Sequence, residues 1–220
     1  MPSVVFDLDG TLADTSGDLL AAANACFRDM GYGDILLHPQ DSGIALRGGR
    51  MMLTEGLKRV DAFSSEKVEA YYPVLLEAYA KDIATQTRLY DGAMACVEAL
   101  KEAGYAVGIC TNKPEALARQ LLTELGILDD FDALIGADTL PMRKPDPEPL
   151  RETVRRMGRD PARTCLIGDS QTDFDTARAA GVPIVLVDFP MTRDSVAHLT
   201  PNAKIAHFDD LLKTVNALNL

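Results

Sequence analysis

Two aspartates separated by one residue follow a short apolar run near the start of the chain. Residues 4–12 read VVFDLDGTL, which places Asp7 and Asp9 at the end of a predicted buried strand. Side chains alternate faces along a strand, so both carboxylates leave on the same side, and Gly10 permits a sharp turn after them. At a separation of about 4 Å and an effective dielectric of about 20, their repulsion costs about 4 kcal/mol. Such a pair is kept where a cation or a proton binds, although Asp-Gly alone also fits an ordinary turn.

Polar side chains also follow later predicted strands. Ligands of open parallel sheets bind beyond the carboxyl ends of the strands, so we expect these side chains to meet Asp7 and Asp9 at one edge. The set follows the strands predicted at residues 106–110, 133–135 and 164–167, and its members are Thr111, Asn112, Lys113, Lys144, Asp169, Ser170 and Asp173.

This edge would gather more negative than positive charge. Up to four carboxylates, those of Asp7, Asp9, Asp169 and Asp173, face one lysine, Lys144. A divalent ion that prefers oxygen ligands, such as Mg²⁺, resolves the imbalance. A phosphate monoester would then supply the remaining negative charge, and its oxygens could bind the lysine ammonium and the Thr111 hydroxyl.

Each of these residues, taken alone, also has an ordinary structural interpretation. Thr111 could cap the helix predicted near residue 115, and Lys144 could be a solvated surface charge. Residues 168–170 could form a simple strand-to-helix turn, and Asp173 could favour the first turn of a helix. Their joint occurrence at successive strand ends favours chemistry.

The elements that must position these residues alternate between strands and helices. Such alternation predicts an α/β fold with a parallel sheet and helices on both faces. Residues 15–84 contain no convincing strand and predict an all-helical unit, with residues 34–49 as a loop and Ser65 as the N-cap of the longest helix. Helices are predicted at residues 15–30, 50–59, 65–84, 93–103, 115–125, 147–157, 172–180 and from 209, and strands at 106–110, 133–135, 164–167, 184–187 and 203–205.

The composition limits the classes of partner. The 220 residues are 47% hydrophobic and carry a formal net charge of −11, which argues against a general nucleic-acid or anionic-membrane surface. No signal peptide or membrane-spanning run is visible, and the three histidines lack zinc-ligand spacing. We therefore expect a cytoplasmic protein. Its cysteines lie in apolar stretches and are expected to be reduced core residues: Cys26, Cys96, Cys110 and Cys165.

Four motifs resemble those of the haloacid dehalogenase superfamily, in its phosphatase branch. They are DLDGT from Asp7, CTNK containing Thr111, RKPDP containing Lys144, and GDSQTD from Gly168, and they occur in the family's order. The resemblance covers essentially the whole chain. It implies a Rossmann-like parallel sheet core formed by residues 1–14 and 85–220, with an inserted all-helical cap domain at residues 15–84.

The resemblance also implies a role for each matching residue. Asp7 would attack phosphorus, and Asp9 would protonate the leaving oxygen and then activate water. Members that cleave carbon–halogen bonds lack the second acid, so its presence favours phosphoryl transfer. Mg²⁺ would be held by Asp7, Asp169 and the backbone carbonyl of Asp9. The phosphate-binding residues would be Thr111, Asn112 and Lys144, with support from Asp173, Gly10 and Ser170.

The substrate is indicated by a narrower resemblance. The segments at residues 110–114 and 136–145 resemble those of phosphoglycolate phosphatases, which implies 2-phosphoglycolate as the small phosphorylated substrate. Arg47 and Arg50 flank a pair of glycines in the predicted cap and could bind a substrate carboxylate, or could simply be solvated. A phosphatase of sugar phosphates or nucleotides, a β-phosphoglucomutase-like phosphomutase and a non-catalytic binding module stay open, as do a monomer and a homodimer.

Overall fold

The chain forms two compact units in the computed structural model, which describes residues 1–189, 196–218 and 220. The first unit comprises Met1–Ala13 and Leu89–Leu220, and the second comprises Asp14–Arg88. The sequence predicts a second unit at residues 15–84, whereas the structure gives residues 14–88. The interpretation of the two units as a catalytic core and a cap stays a prediction.

The strands are short and the helices vary from one to nearly five turns. The strands are β1 (Ser3–Phe6), β2 (Ala13–Asp14), β3 (Arg88–Leu89), β4 (Ala106–Cys110), β5 (Ala133–Ile135), β6 (Thr164–Gly168), β7 (Ile184–Val187) and β8 (Ala203–Ile205). The helices are α1 (Ser16–Asp29), α2 (Ser42–Ala45), α3 (Gly49–Arg59), α4 (Ser65–Lys81), α5 (Ala93–Glu102), α6 (Glu115–Glu124), α7 (Glu148–Arg156), α8 (Gln171–Ala180) and α9 (Leu211–Ala217).

A parallel sheet of six strands forms the centre of the first unit, which confirms the predicted α/β class. Its strand order is β5-β4-β1-β6-β7-β8, and all of its pairs are parallel. Every residue of β1, β4, β6 and β7 is buried, as expected for parallel strands that are covered on both faces.

The first strand occupies the position where a ligand site is expected. Val4 of β1 pairs with Val107 of β4 on one side and with Cys165 of β6 on the other. The chain therefore leaves β1 in one direction for β4 and later returns to its other side for β6. Ligands of open α/β sheets bind at such a switch point, beyond the carboxyl ends of the strands.

Helices make up most of the second unit, as predicted, but three details of the prediction are wrong. Residues 34–49 are not all loop, because they contain α2. The N-cap of α4 is Ser64 rather than Ser65, since the Ser64 hydroxyl accepts a hydrogen bond from the Lys67 amide at 3.3 Å. The same helix ends at Lys81 rather than at residue 84.

The Phe27 ring packs directly on Gly56, where an added Cβ would lie 2.1 Å from the ring.

A buried carboxylate joins the two ends of the second unit. Asp18, in the first turn of α1, accepts hydrogen bonds from the backbone amides of Gln86 and Thr87 at 2.8–3.0 Å. The Thr87 hydroxyl donates to the same carboxylate at 2.8 Å. The first unit has a matching link, because the Tyr90 amide donates to the Leu12 carbonyl at 3.0 Å. In each unit, the segment at which the chain leaves is thus hydrogen-bonded to the segment at which it enters.

The four cysteines are buried and free, as expected for core residues. Within the described ranges, no helix has the length and apolarity required to cross a membrane.

Candidate active site

Three carboxylates converge at the carboxyl ends of β1 and β6. Asp7 directly follows β1, and its amide donates to the Ile167 carbonyl at 2.9 Å, which extends the pairing with β6. Asp169 directly follows β6, and Asp173 lies in the first turn of α8. One carboxylate oxygen from each of these aspartates lies within 4.8 Å of the other two. The predicted meeting of acids at this edge therefore occurs for these three side chains.

A tight turn after β1 brings a further hydroxyl to the cluster. Gly10 has a φ of +82°, which favours glycine, and its amide donates to the Ala13 carbonyl at 2.9 Å. The turn buries Thr11, whose hydroxyl donates to Asp169 Oδ1 at 2.8 Å. Sequence reasoning did not assign Thr11 to the site, although it belongs to the DLDGT motif.

Lys144 lies between two of the acids. Its Nζ is 3.0 Å from Asp7 Oδ1 and 2.7 Å from Asp173 Oδ1. Only 2% of the residue is exposed, which excludes the alternative of a solvated surface charge. Burial by itself would lower the pKa of the ammonium group, but the carboxylates of Asp173 and Asp7 reverse that effect and raise it. Lys144 is therefore a cation at every physiological pH.

Asp173 uses its second oxygen to fix the turn into α8. Its Oδ2 accepts hydrogen bonds from the amides of Asp169 and Ser170, both at 3.2 Å, and from the Ser170 hydroxyl at 2.6 Å. Ser170 in turn accepts from the Asp173 amide, which completes a capping box. An added Cβ at Gly168 would lie 2.4 Å from the Asp173 Cβ, so only glycine allows this approach. Asp173 therefore caps α8 and is also a member of the acid cluster.

The loop after β4 holds the predicted phosphate-binding residues. The Thr111 amide donates to the Ile135 carbonyl at 2.9 Å, and its hydroxyl accepts from the Lys113 amide at 3.2 Å. Thr111 is not the N-cap of α6, since Pro114 occupies that position, and the amide of Glu115, the first residue of the helix, donates to the Asp138 carboxylate at 2.7 Å. Asn112 Nδ2 donates to the Lys144 carbonyl at 3.0 Å, which ties this loop to the lysine segment.

A second buried lysine pairs with the remaining acid. Lys113 Nζ lies 2.8 Å and 3.2 Å from the two carboxylate oxygens of Asp9. The lysine is 6% exposed. The expectation of one lysine against four carboxylates is therefore wrong. Lys113 stands at a strand end in the CTNK motif, and that position was the available signal.

Burial and mutual repulsion make two of the acids unusually basic. Burial raises the pKa of Asp7 from 3.8 to about 6, against the attraction of Lys144 and with added repulsion from Asp173 and Asp9. Burial also raises the pKa of Asp169 well above its usual range, and Asp173 and Asp7 add to that rise. The negative charges of both carboxylates are thus only partly balanced by the positive groups of the protein.

A divalent cation fits this donor set. When all groups are ionised, four carboxylates and two ammonium groups leave two net negative charges, which one divalent ion would balance. Both carboxylate oxygens of Asp173 already have partners, Lys144 at Oδ1 and Ser170 at Oδ2, so Asp7 and Asp169 are the carboxylates that would serve as ligands. Hard cations such as Mg²⁺ take oxygen ligands of this kind.

The two arginines predicted to contact substrate belong to the second unit. Arg50 forms a two-pronged ion pair with Glu69, with N···O distances of 2.7 Å and 2.9 Å, and its guanidinium lies 3.7 Å from the centre of the Tyr72 ring. Arg47 is exposed, and its guanidinium has no hydrogen-bond or ion-pair partner within the described part of the chain. The contact of either arginine with a substrate stays a prediction.

Known proteins resemble this chain over nearly its whole length. The family model described as Haloacid dehalogenase-like hydrolase matches residues 4–187. A phosphoglycolate phosphatase of Mesorhizobium japonicum is 38% identical over 96% of this chain and 92% of its own length. One from Rhodospirillum rubrum is 37% identical over 94% and 87%. A crystal structure of a predicted phosphoglycolate phosphatase from Haemophilus somnus has a TM-score of 0.81 at 25% identity and covers 97% of both chains.

Proposed function

Because the chain belongs to the haloacid dehalogenase-like hydrolase family, we propose that it is a Mg²⁺-dependent phosphomonoester hydrolase that acts on 2-phosphoglycolate. One observation carries the proposal. The carboxylates of Asp7 and Asp169 lie in one cluster with the buried ammonium group of Lys144. This arrangement supplies a nucleophile, a place for a cation and a fixed positive charge at one edge of the sheet.

The proposed reaction has two steps that share the same aspartates. In the first, an oxygen of Asp7 bonds to phosphorus, the bond from phosphorus to the ester oxygen breaks, and Asp9 gives its proton to that oxygen. In the second, Asp9 takes a proton from water, the water oxygen bonds to phosphorus, and the bond to Asp7 breaks. The products are an alcohol and inorganic phosphate, and both aspartates return to their starting states.

The other predicted residues hold the reacting group. Mg²⁺ would be held by Asp7, Asp169 and the backbone carbonyl of Asp9, and when bound it would neutralise phosphoryl charge. Lys144 is fixed between Asp7 and Asp173, so it offers a positive charge to the phosphoryl oxygens without reorganising. Thr111 and Asn112 are proposed to bind the same oxygens.

The substrate assignment has separate support. The curated relatives described above are phosphoglycolate phosphatases at 37–38% identity over most of both chains. A small substrate with a carboxylate also suits a free guanidinium in the predicted cap. Two N–H groups of Arg50 already donate to the Glu69 carboxylate, so Arg47 is the better candidate for contact with the substrate carboxylate.

We also propose a cytoplasmic protein that acts as a monomer or a homodimer. The four free, buried cysteines support a reducing compartment.

Hydrolysis of p-nitrophenyl phosphate tests the reaction. The protein should release p-nitrophenol with Mg²⁺, lose this activity in excess chelator and regain it when Mg²⁺ is restored. Asp7→Asn should be inactive, while Asp129→Asn, at an exposed aspartate of the same unit, should keep full activity. Substantial turnover by Asp7→Asn would contradict the nucleophile assignment.

A panel of phosphate esters tests the substrate. We expect 2-phosphoglycolate to have the highest kcat/KM among phosphoglycolate, hexose phosphates and nucleoside monophosphates. A higher value for a nucleotide or a hexose phosphate would overturn the narrower assignment and leave the phosphatase proposal intact.

A further inference from the structure

The contact between Lys113 and Asp9 is not explained by the roles assigned so far. Lys113 Nζ approaches both oxygens of the Asp9 carboxylate, at 2.8 Å and 3.2 Å, across 104 residues of sequence. We infer that Lys113 is a positioning residue that holds the Asp9 carboxylate in the orientation needed for proton transfer at the ester oxygen. The inference rests on the proposed function, in which Asp9 is the acid and base.

The protein fixes Lys113 at several points. Its backbone amide donates to the Thr111 hydroxyl at 3.2 Å, and its carbonyl accepts from the Ala137 amide at 2.9 Å. Its side chain is 4% exposed, against 18% for that of Asp9. Burying an ammonium group costs several kcal/mol unless a partner compensates it, so this lysine is held where a carboxylate must meet it.

The two buried lysines contact different acids. Lys144 contacts Asp7 and Asp173, whereas Lys113 contacts Asp9. Lys144 therefore pairs with the proposed nucleophile, Asp7, and Lys113 pairs with the proposed acid, Asp9. A carboxylate gripped at both oxygens loses rotational freedom, and its alignment with a leaving group is then set before the substrate arrives.

This role makes a prediction that a purely structural ion pair does not make. A p-nitrophenolate ion is stable enough to leave without a proton, whereas the alkoxide of an alkyl phosphate needs one. A residue that acts through Asp9 must therefore matter far more for alkyl esters than for p-nitrophenyl phosphate. A residue that only holds the loop in place affects both esters equally.

The test compares 2-phosphoglycolate with p-nitrophenyl phosphate in Lys113→Met. The value of kcat/KM reports the steps up to departure of the alcohol, and the ratio between two esters does not depend on the folded fraction of a preparation. We expect kcat/KM for 2-phosphoglycolate to fall at least tenfold further than that for p-nitrophenyl phosphate, out of the roughly 10²–10⁴-fold that acid–base catalysis supplies. Lys213→Met, at an exposed lysine of the same unit, should leave the ratio unchanged.

A second background shows whether the effect passes through Asp9. Adding Lys113→Met to Asp9→Asn should leave the ratio of the two esters nearly unchanged, because the group that Lys113 positions is already gone. Lys113→Arg keeps the positive charge and should retain more of the ratio than Lys113→Met. It also supplies the comparison if the neutral variant does not fold.

The inference would be overturned by a ratio of the two esters that stays at the wild-type value in both Lys113 variants, whether both activities fall equally or neither falls. Failure of the proposed function would look different, because Asp7→Asn would then remain active toward p-nitrophenyl phosphate whatever Lys113 does.

Discussion

Replacing the proposed nucleophile with its neutral counterpart should stabilise the metal-free protein. The pKa of Asp7 is about 6 in the folded protein against 3.8 for an ordinary aspartate. A raised folded pKa stabilises the protein fully below pH 3.8, and this contribution is lost as the pH rises through 6. At about 1.4 kcal/mol per pKa unit, keeping this carboxylate ionised at pH 8 costs about 3 kcal/mol. Its side chain is only 13% exposed, so solvent screens little of that cost.

Asp7→Asn mimics the neutral acid and avoids this cost. With excess chelator at pH 8, we expect the variant to be more stable by about 3 kcal/mol, and by about half as much at pH 5. For a chain of 220 residues this corresponds to a rise in Tm of about 6–12 °C at pH 8. Added Mg²⁺ should raise the Tm of the wild type more than that of the variant, because the wild type offers the extra charged ligand.

Thermal melts followed by circular dichroism at both pH values would check this reasoning. Asp129→Asn is the matched control, since that aspartate is exposed, and its Tm should not move. A lower Tm for Asp7→Asn in chelator at pH 8 would refute the argument, because attraction to Lys144 would then outweigh burial and repulsion.

Three further predictions concern metal binding, packing and the substrate. Protons compete with the metal for Asp7, so calorimetric titration should give Mg²⁺ binding at least about tenfold weaker at pH 5 than at pH 8; equal affinities would show that Asp7 is not a ligand. Gly168→Ala puts a Cβ 2.4 Å from that of Asp173 and should cost about 1–3 kcal/mol in urea unfolding, with a loss of activity. An unchanged urea midpoint would mean that the turn after β6 can shift to accommodate the added Cβ at no cost in stability. Arg47→Ala should raise KM for 2-phosphoglycolate more than for p-nitrophenyl phosphate, and a similar rise for both esters would remove the arginine from carboxylate recognition.

Most of the sheet was predictable because β1, β4, β5, β6 and β7 are short apolar runs in which every residue is buried. The predicted bounds of β4, β5, β7 and β8 agree with the structure. Helix ends were less predictable. Either Ser64 or Ser65 could cap α4 by residue type, and only the hydrogen bond to the Lys67 amide selects the first. A single turn such as α2 has too few residues to show a helical period.

The candidate site was predictable in its motif residues but not in its pairings. The strand-end rule brought Asp7 and Asp169 to one edge without any coordinates. It also placed Lys113 at that edge, but it could not pair this lysine with Asp9, because the pairing depends on the order of the strands and on the path of each loop. The same limit hid Thr11, whose hydrogen bond to Asp169 spans 158 residues. Residue spacing reports neighbours along the chain, whereas ion pairs between loops depend on how the strands are ordered.

The carboxylate of Asp18 has a consequence for how this protein could change over time. It binds the beginning of the inserted helical unit to its end, and the hydrogen bond between Leu12 and Tyr90 closes the gap on the other side. The two ends of the insert are therefore held next to each other. A different insert with equally closely spaced ends could be exchanged at this position.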